Sequence, residues 1–218
     1  MLFNYKDKVI FVSVPKTATT AVENYILENS NDYIRNFIFK NKKIKVKTHC
    51  SVKFLKEILG DEFNDYKILA IARNPLDCVI SKYFFFKKGR ARNNFFLYLK
   101  KKTLLNFIKV LMARFLNFNF WCLLYIFRVN IPYLLINNKL PKNVFVIDFN
   151  QFKKQPKKLF DLFPNLYFDP QHFFKKNKTM YNISELTIWK STKLILNFKL
   201  RKEISFYNSI TNKDFVKK

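Results

Sequence analysis

Glycine is scarce in this chain: its 218 residues include two glycines, Gly60 and Gly89. A phosphate-binding loop of the Walker A type follows the pattern G-x-x-x-x-G-K-[ST], in which glycines let the backbone approach the phosphates. No segment of the sequence matches that pattern. The scarcity therefore argues against a nucleotide-binding loop of this type.

Cysteine and histidine are scarce as well, with three and two residues. Cys50, Cys78 and Cys122 form no C-x-x-C pair, so the sequence predicts neither a disulfide framework nor a structural zinc site. Because no close group of acidic residues accompanies the histidines, we expect no bound metal. The cysteine usage, and an N-terminus without a basic region before an apolar stretch, predict a reducing, cytoplasmic location.

Acidic residues are few: 15 against 41 basic ones, which gives a formal net charge of +26. This imbalance favours anionic partners. The chain is also rich in Asn, Ile and Phe, a mixture that a coding sequence of low G+C content produces without any functional cause, so both explanations stay open. Because planar guanidinium groups suit phosphate clamps, the few arginines are the informative cations.

No apolar run is long enough to cross a membrane. The uncharged stretch between Arg114 and Arg128 falls short of the roughly 20 residues that a span requires. From 84 to 140 the chain is aromatic, basic and predicted to be helical. We interpret this segment as helices that pack on a sheet, with peripheral contact to a membrane surface as the alternative.

The most informative segment that is present begins at Val9. The apolar run from Val9 to Val14 predicts a buried parallel strand, which ends at Pro15 because proline cannot donate to a sheet ladder. Lys16 and a threonine-rich loop follow, and a helix is predicted over 19–28. A lysine beside the N–H groups of a helix start is suited to bind phosphate or a related anion.

Strands and helices alternate along the rest of the chain. The pattern predicts an α/β fold with a mainly parallel sheet of about four to five strands, in a single domain that covers 1–218. Ligands of such sheets bind at the carboxyl ends of the strands. Further strands are predicted at 45–48, 68–72 and 144–147, and 33–39 is left as strand or helix. Helices are predicted at 52–59 with Gly60 as C-cap, from Pro75 onwards, at 152–163, and as two amphipathic helices over 184–207.

Three polar residues follow predicted strands: Lys16, His49 and Arg73. The expected sheet brings them to one edge. Each has a simpler explanation when taken alone, since Lys16 is one of many lysines, His49 is a candidate structural histidine, and Arg73 can pair with Asp77 one turn on.

Two motifs carry a resemblance to a known family. The segment Pro15-Lys16-Thr17-Ala18-Thr19-Thr20, between strand and helix, resembles the 5′-phosphosulfate loop of sulfotransferases, which use 3′-phosphoadenosine 5′-phosphosulfate (PAPS) as donor. The segment from Arg73-Asn74-Pro75 to Ser81 resembles their 3′-phosphate element, with an arginine that ends a strand and a serine eight positions later. The order of His49, a helix and the R-N-P motif is similar to the order in the carbohydrate branch of the family. The segments 146–152 and 204–207 also resemble segments of the family, more loosely.

The resemblance implies a three-layer, P-loop-like fold with a helical insertion, and roles for individual residues. Lys16 would stabilise the leaving phosphate, together with the loop residues Thr17, Ala18, Thr19 and Thr20. His49 would be the general base, and Arg73 and Ser81 would bind the 3′-phosphate. Lys178, or its neighbours Lys175 and Lys176, would approach the donor by analogy of position. Ala18 stands where the family has glycine, a departure that matters if the position requires positive φ.

The acceptor is expected to be a hydroxyl group of a carbohydrate, with an anionic polysaccharide or a lipid-linked sugar favoured over a phenol. The segment 84–140 is the predicted acceptor side. A nucleotide kinase-like phosphotransferase and a basic nucleic-acid-binding module remain alternatives. The first lacks a Walker A loop and carboxylates for Mg²⁺, and the second lacks a recognition motif such as that of the RRM.

Overall fold

The computed structural model of the protein describes residues 1–35, 37–39, 42–44, 49–88, 104–125, 128–171, 173 and 186–211. These residues form an α/β fold whose central sheet is mainly parallel, as the alternation of strands and helices predicted.

The strands form a four-stranded sheet and a separate hairpin. They are β1 (Leu2–Asn4), β2 (Val9–Val12), β3 (Phe37–Phe39), β4 (Lys42–Ile44), β5 (Lys67–Ala72) and β6 (Val144–Asp148). The order in the large sheet is β1-β2-β5-β6, with β2, β5 and β6 parallel and β1 antiparallel to β2. Strands β3 and β4 pair with each other. Because Val12 pairs with Ala70 and Ala72 with Asp148, the three parallel strands end at one edge.

Nine α-helices and a 3₁₀ helix are present in the described residues. They are α1 (Thr19–Asn29), α2 (Val52–Leu59), the 3₁₀ helix (Gly60–Asp65), α3 (Pro75–Lys88), α4 (Leu104–Phe115), α5 (Phe118–Leu124), α6 (Ile131–Leu134), α7 (Phe149–Lys154), α8 (Lys157–Phe160) and α9 (Lys190–Thr211). None of them is both long and apolar enough to cross a bilayer.

Helices cover both faces of the sheet. Alternate strand residues such as Ile10, Ile68 and Val146 pack with α2, α6 and the end of α9. Their neighbours, such as Phe11 and Leu69, pack with α1, α7 and α8. This burial on both faces is why the strands are continuous apolar runs. A third core lies among α3, α4, α5 and the first half of α9.

Several sequence predictions about these elements are confirmed. The strands β2, β5 and β6 occur where the apolar runs predicted them, and α1, α2 and α3 begin as expected. Gly60 is the C-cap of α2, with a φ of 57° that glycine adopts at little cost. The segment 33–39 contains a strand, Phe37–Phe39. The predicted strand 45–48 lies outside the described residues.

Two predictions about helices are wrong. The C-terminal segment is one helix, Lys190–Thr211, because its buried positions keep the helical period without a break and no Gly or Pro interrupts it. The predicted helix 152–163 is divided into α7 and α8 at Pro156, since a proline inside a helix removes a backbone donor and clashes with the preceding turn. The edge strand β1 was not predicted.

Candidate active site

The loop between β2 and α1 is folded tightly by its own threonines. The hydroxyl of Thr17 donates to the carbonyl oxygen of Val14 at 2.9 Å, and that of Thr19 donates to the same oxygen at 3.2 Å. Both side chains are buried, whereas Thr20 is exposed in the first turn of α1. The first N–H groups of a helix have no intrahelical acceptor, so this turn offers donors and a positive dipole end to an anion.

Two residues of this loop have positive φ without being glycine. The angle is 68° at Lys16 and 60° at Ala18, and Ala18 (ψ 14°) is in the left-handed helical region just before α1. That conformation crowds the Cβ atom and costs roughly 1–2 kcal/mol for a residue other than glycine. The position at which the family has glycine therefore has positive φ in this chain, and Ala18 adopts this conformation under strain.

Arg73, directly after β5, joins this loop to the next one. Its Nη1 donates to the carbonyl oxygen of Lys16 at 3.1 Å, and its guanidinium carbon lies 4.6 Å from the ring centroid of Phe149. Its buried Nε has no hydrogen-bond partner among the described residues. Within that part of the chain it forms no ion pair with Asp77. Arg73 is thus held beside Lys16 with donor capacity left over.

The backbone at Arg73 is fixed by a polar network that starts on α9. The side-chain amide of Asn130 donates to the carbonyl oxygen of Arg73 at 2.9 Å. Buried Glu203 in turn accepts three backbone N–H bonds, from Val129, Asn130 and Ile131, at 3.2, 2.9 and 3.1 Å. The carboxylate of Glu203 therefore sets the position of Asn130, and Asn130 sets that of Arg73.

Lys16 lies in a cluster of positive charge. Its Nζ is 4.0 Å from the ring centroid of Phe85. Burial, together with the neighbouring charges of Arg73 and Lys82, lowers the pKa of Lys16 to about 8. A lysine held among other cations and partly withdrawn from water is an arrangement that an anionic ligand would stabilise.

A cleft opens beside Lys16 and contains two more cations. Its lining is Pro15, Lys16, Cys78, Val79, Lys82, Arg128 and Val129. No acidic side chain lines it within the described chain. The Nζ of Lys82 also lies 5.4 Å from the ring centroid of Tyr125. The charge balance of this cleft suits a phosphate, sulfate or carboxylate group.

His49 contacts the strand that leads into the Lys16 loop. Its Nδ1 is 2.8 Å from the carbonyl oxygen of Ser13, one residue after β2. Because a carbonyl oxygen only accepts, Nδ1 must carry a proton, and the neutral ring then has an unprotonated Nε2. The ring is exposed. This tautomer is the one that a general base requires, with Nε2 as the accepting atom.

Ser81 is buried in the second turn of helix α3. It is one turn beyond Cys78, whose thiol donates to the carbonyl oxygen of Arg73 at 3.9 Å. Residues three apart share a helix face, so Ser81 lies on the same face of α3 as Cys78. Lys178, like Lys175 and Lys176, lies outside the described residues.

Sequence reasoning missed four residues of this site: Lys82, Arg128, Asn130 and Glu203. Three of them had a signal. Lys82 follows Ser81 directly, and Arg128 is one of seven arginines in a chain rich in lysine. Glu203 is the single acidic residue of α9 and lies at a buried position of its helical period. Asn130 had no signal, because its role depends on a contact between distant segments.

Within the described residues, no group of His, Cys, Asp and Glu is arranged to bind a metal ion. The cations Lys16, Lys82 and Arg128 line the cleft and would balance the charge of an anionic ligand bound there.

Comparison with known proteins gives a family. The profile described as "Sulfotransferase domain" matches residues 25–161, more than half of the chain. The match contains His49, Arg73 and Ser81 and begins after the Lys16 loop. Among curated proteins, none matches the chain significantly. A solved structure, the crystal structure of mouse sulfotransferase SULT7A1 complexed with PAP, is similar over 95% of this chain and 84% of its own, at 16% identity and a TM-score of 0.39.

Proposed function

We propose, on the premise that the chain belongs to the sulfotransferase family, whose donor is PAPS, that it sulfates a hydroxyl group of a carbohydrate. The proposal includes the site: the Lys16 loop for the 5′-phosphosulfate, Arg73 with Ser81 for the 3′-phosphate, and His49 as the base. The observation that carries it is the hydrogen bond from Arg73 to the carbonyl oxygen of Lys16, which brings the two motifs together at one sheet edge.

The reaction requires an in-line arrangement of three atoms. A bond forms between the acceptor oxygen and the sulfur, and the bond from sulfur to the 5′-phosphate oxygen breaks. The acceptor proton passes to Nε2 of His49, whose Nδ1 is held by Ser13. The leaving bisphosphate gains negative charge, which the ammonium of Lys16 stabilises.

The loop residues contribute mainly shape. Thr17 and Thr19 use their hydroxyl protons on Val14, so their side chains hold the loop while the N–H groups at the start of α1 remain for the anion. Thr20 is exposed and has no such restriction. Ala18 provides the left-handed turn that starts the helix.

The 3′-phosphate is assigned to the end of β5. Arg73 has a buried Nε with no partner among the described residues, and a phosphate oxygen would satisfy it. Buried Ser81, on the helix that follows Arg73, is proposed to add a hydroxyl donor. Lys178 is proposed to complete this contact, as the resemblance to the family implies.

The acceptor is proposed to bind on the side of the segment 84–140. Arg128 of that segment, and Lys82 two residues before it, line the cleft beside Lys16. Their charges favour an acceptor that carries an anionic group, such as an acidic glycan, over a neutral phenol.

Transfer of radiolabelled sulfate from PAPS to matched acceptors tests the proposal. We expect labelling of acidic glycans, less labelling of neutral glycans, and a decline of the apparent affinity for acidic glycans as salt is raised, because screening shortens to about 8 Å at physiological ionic strength. Preference for phenols without salt dependence would overturn the carbohydrate assignment. Phosphate transfer from ATP to these acceptors, with no sulfate transfer from PAPS, would overturn the proposed reaction.

A further inference from the structure

Helix α5 presents an apolar side to solvent. Phe120, Leu123 and Leu124 are 48, 41 and 65% exposed. The opposite side of the same short helix, with Trp121 and Cys122, is buried in the third core. The exposed side chains therefore do not belong to the hydrophobic core that stabilises the fold.

Helix α9 lies alongside α5 and adds to this surface. The side chain of Asn119 accepts from the N–H of Trp189 at 3.0 Å, and Lys199 Nζ donates to the carbonyl oxygens of Cys122 and Leu123 at 3.1 and 2.6 Å. The rings of Phe120 and Trp189 meet with centroids 5.5 Å apart.

We name the exposed apolar side chains of these two packed helices, with Trp189 directly before α9, the α5–α9 patch. Its members are Phe120, Leu123, Leu124, Trp189, Leu194 and Phe198. Leu194 and Phe198, one turn apart on α9, are 71 and 70% exposed. Grouped exposure of this kind marks an interaction surface, whereas single exposed apolar residues are ordinary.

Taken together, the helices of the patch and the neighbouring α4 are strongly basic in sequence. Helices α4, α5 and α9 contain seven basic residues: Lys109, Arg114, Lys190, Lys193, Lys199, Arg201 and Lys202. Their single acidic residue, Glu203, is buried and occupied by the backbone of 129–131. The guanidinium of Arg201 lies 5.2 Å from the ring centroid of Phe198, so cation and apolar group are adjacent.

We propose that the α5–α9 patch binds the surface of a bilayer that contains anionic phospholipid. Aromatic and leucine side chains with interspersed lysine and arginine are the composition of surfaces that enter the headgroup region while the cations contact lipid phosphates. A second copy of the chain is a poorer occupant, because two basic surfaces would repel each other.

The patch adjoins the candidate active site. Leu124 directly precedes Tyr125, whose ring lies 5.4 Å from Lys82 Nζ, and Arg128 follows in the same cleft. A bilayer at the patch would place membrane-anchored acceptors beside Lys16. This corollary rests on the proposed function, whereas the membrane contact itself does not.

Co-sedimentation with vesicles tests the contact. The full chain should bind vesicles of phosphatidylcholine with phosphatidylglycerol, bind weakly to phosphatidylcholine alone, and be released by salt. The double variant Leu124→Ser/Phe198→Ser should weaken binding to the anionic vesicles at least about tenfold, since two apolar groups no longer enter the bilayer. Tyr167→Ser is the matched control, because Tyr167 is 84% exposed and lies outside the patch; it should bind like the wild type.

A charge series separates patch cations from overall charge. Lys193→Glu/Arg201→Glu should reduce binding to the anionic vesicles at least about tenfold. Lys157→Glu/Lys158→Glu, on α8, makes the same change in net charge and should reduce it much less. Equal losses in both variants would overturn the assignment to the patch, because only the net charge would then matter.

Two further outcomes would overturn the proposal. One is absence of binding to the anionic vesicles. The other is a dimer in the wild type that Leu124→Ser/Phe198→Ser converts to a monomer while vesicle binding is unchanged, which would identify a second copy as the occupant. Affinity for adenosine 3′,5′-bisphosphate, measured on the same variants, should equal the wild-type value, and sulfate transfer to a soluble acceptor is measured on the wild type. Their absence in the wild type would count against the proposed function and not against the membrane contact.

Discussion

Nη1 of Arg73 lies 3.1 Å from the carbonyl oxygen of Lys16 and donates a hydrogen bond to it. The two residues are 57 positions apart in the sequence and follow neighbouring parallel strands, β2 and β5. One side chain thus ties the loop that contains the candidate catalytic lysine to the start of helix α3. Lys16 itself has a φ of 68°, so this contact also supports a backbone conformation that lysine seldom adopts.

Replacement of Ala18 by glycine should stabilise the protein. Ala18 has a φ of 60°, where its Cβ is crowded and glycine is not, so we expect a gain of roughly 1 kcal/mol in the free energy of unfolding. Urea denaturation measures it. Ala21→Gly is the control with the opposite expected sign, a loss of roughly 0.5–1 kcal/mol, because Ala21 is in helix α1. A loss in both variants would show that Ala18 is not strained.

The activity of the free enzyme should decline above about pH 8. Lys16 stabilises the leaving group only when protonated, and burial together with Arg73 and Lys82 lowers its pKa to about 8. The ammonium is therefore present below that pH and is lost above it. The pH profile of kcat/KM reports the free enzyme and should show this basic limb.

The control for this profile is Lys16→Arg, whose guanidinium stays charged across the range. Its activity should be lower, since the geometry changes, but its profile should lack the limb near pH 8. A wild-type profile that is flat up to pH 10, or an identical limb in Lys16→Arg, would show that Lys16 does not titrate in the reaction.

The role of His49 can be separated from its structural contact. In His49→Asn the side-chain amide can still donate to the carbonyl oxygen of Ser13. No atom remains, however, to take the proton from the hydroxyl group of the acceptor substrate. Turnover should fall by roughly 10²–10⁴, while the thermal midpoint and the bisphosphate affinity stay near the wild-type values. Unchanged turnover in His49→Asn, or a loss of turnover that follows a loss of folding, would favour a structural histidine.

Much of the fold could be predicted, because the strands that carry the site are buried on both faces and leave a clear signal. The runs at Val9–Val12, Lys67–Ala72 and Val144–Asp148 are almost entirely apolar, and each is followed by a polar residue or a turn. The helix starting at Pro75 was equally clear, since proline favours the first helical turn.

The elements that sequence reasoning missed depend on tertiary contacts. Strand β1 has three residues and is held by pairing with β2, which its own sequence does not indicate. The link between Asp148 and Tyr207 is similar: the phenol of Tyr207 donates to the carboxylate, across 59 positions. Both residues belong to segments whose resemblance to the family was noted, but only the folded chain brings them together.

The polar network behind Arg73 gives a stability prediction of its own. Glu203→Ala should cost about 3 kcal/mol or more, because three buried backbone N–H groups lose a charged acceptor. It should also weaken bisphosphate binding, since Asn130 would no longer fix Arg73. Glu57→Ala, at an exposed site on α2, should change stability by less than about 0.5 kcal/mol. A small effect of Glu203→Ala in urea denaturation would show that the network contributes little.

Calorimetric titration of adenosine 3′,5′-bisphosphate and adenosine 5′-monophosphate tests the donor site most directly. Arg73→Ala should weaken binding of the bisphosphate at least tenfold, since a charge-assisted hydrogen bond contributes about 1.5–3 kcal/mol, and should weaken the monophosphate less. Arg35→Ala, at an exposed arginine bonded to Asn24, should leave both affinities unchanged. Wild-type affinity of Arg73→Ala for the bisphosphate, or equal weakening of both nucleotides, would contradict the assignment of Arg73 to the 3′-phosphate.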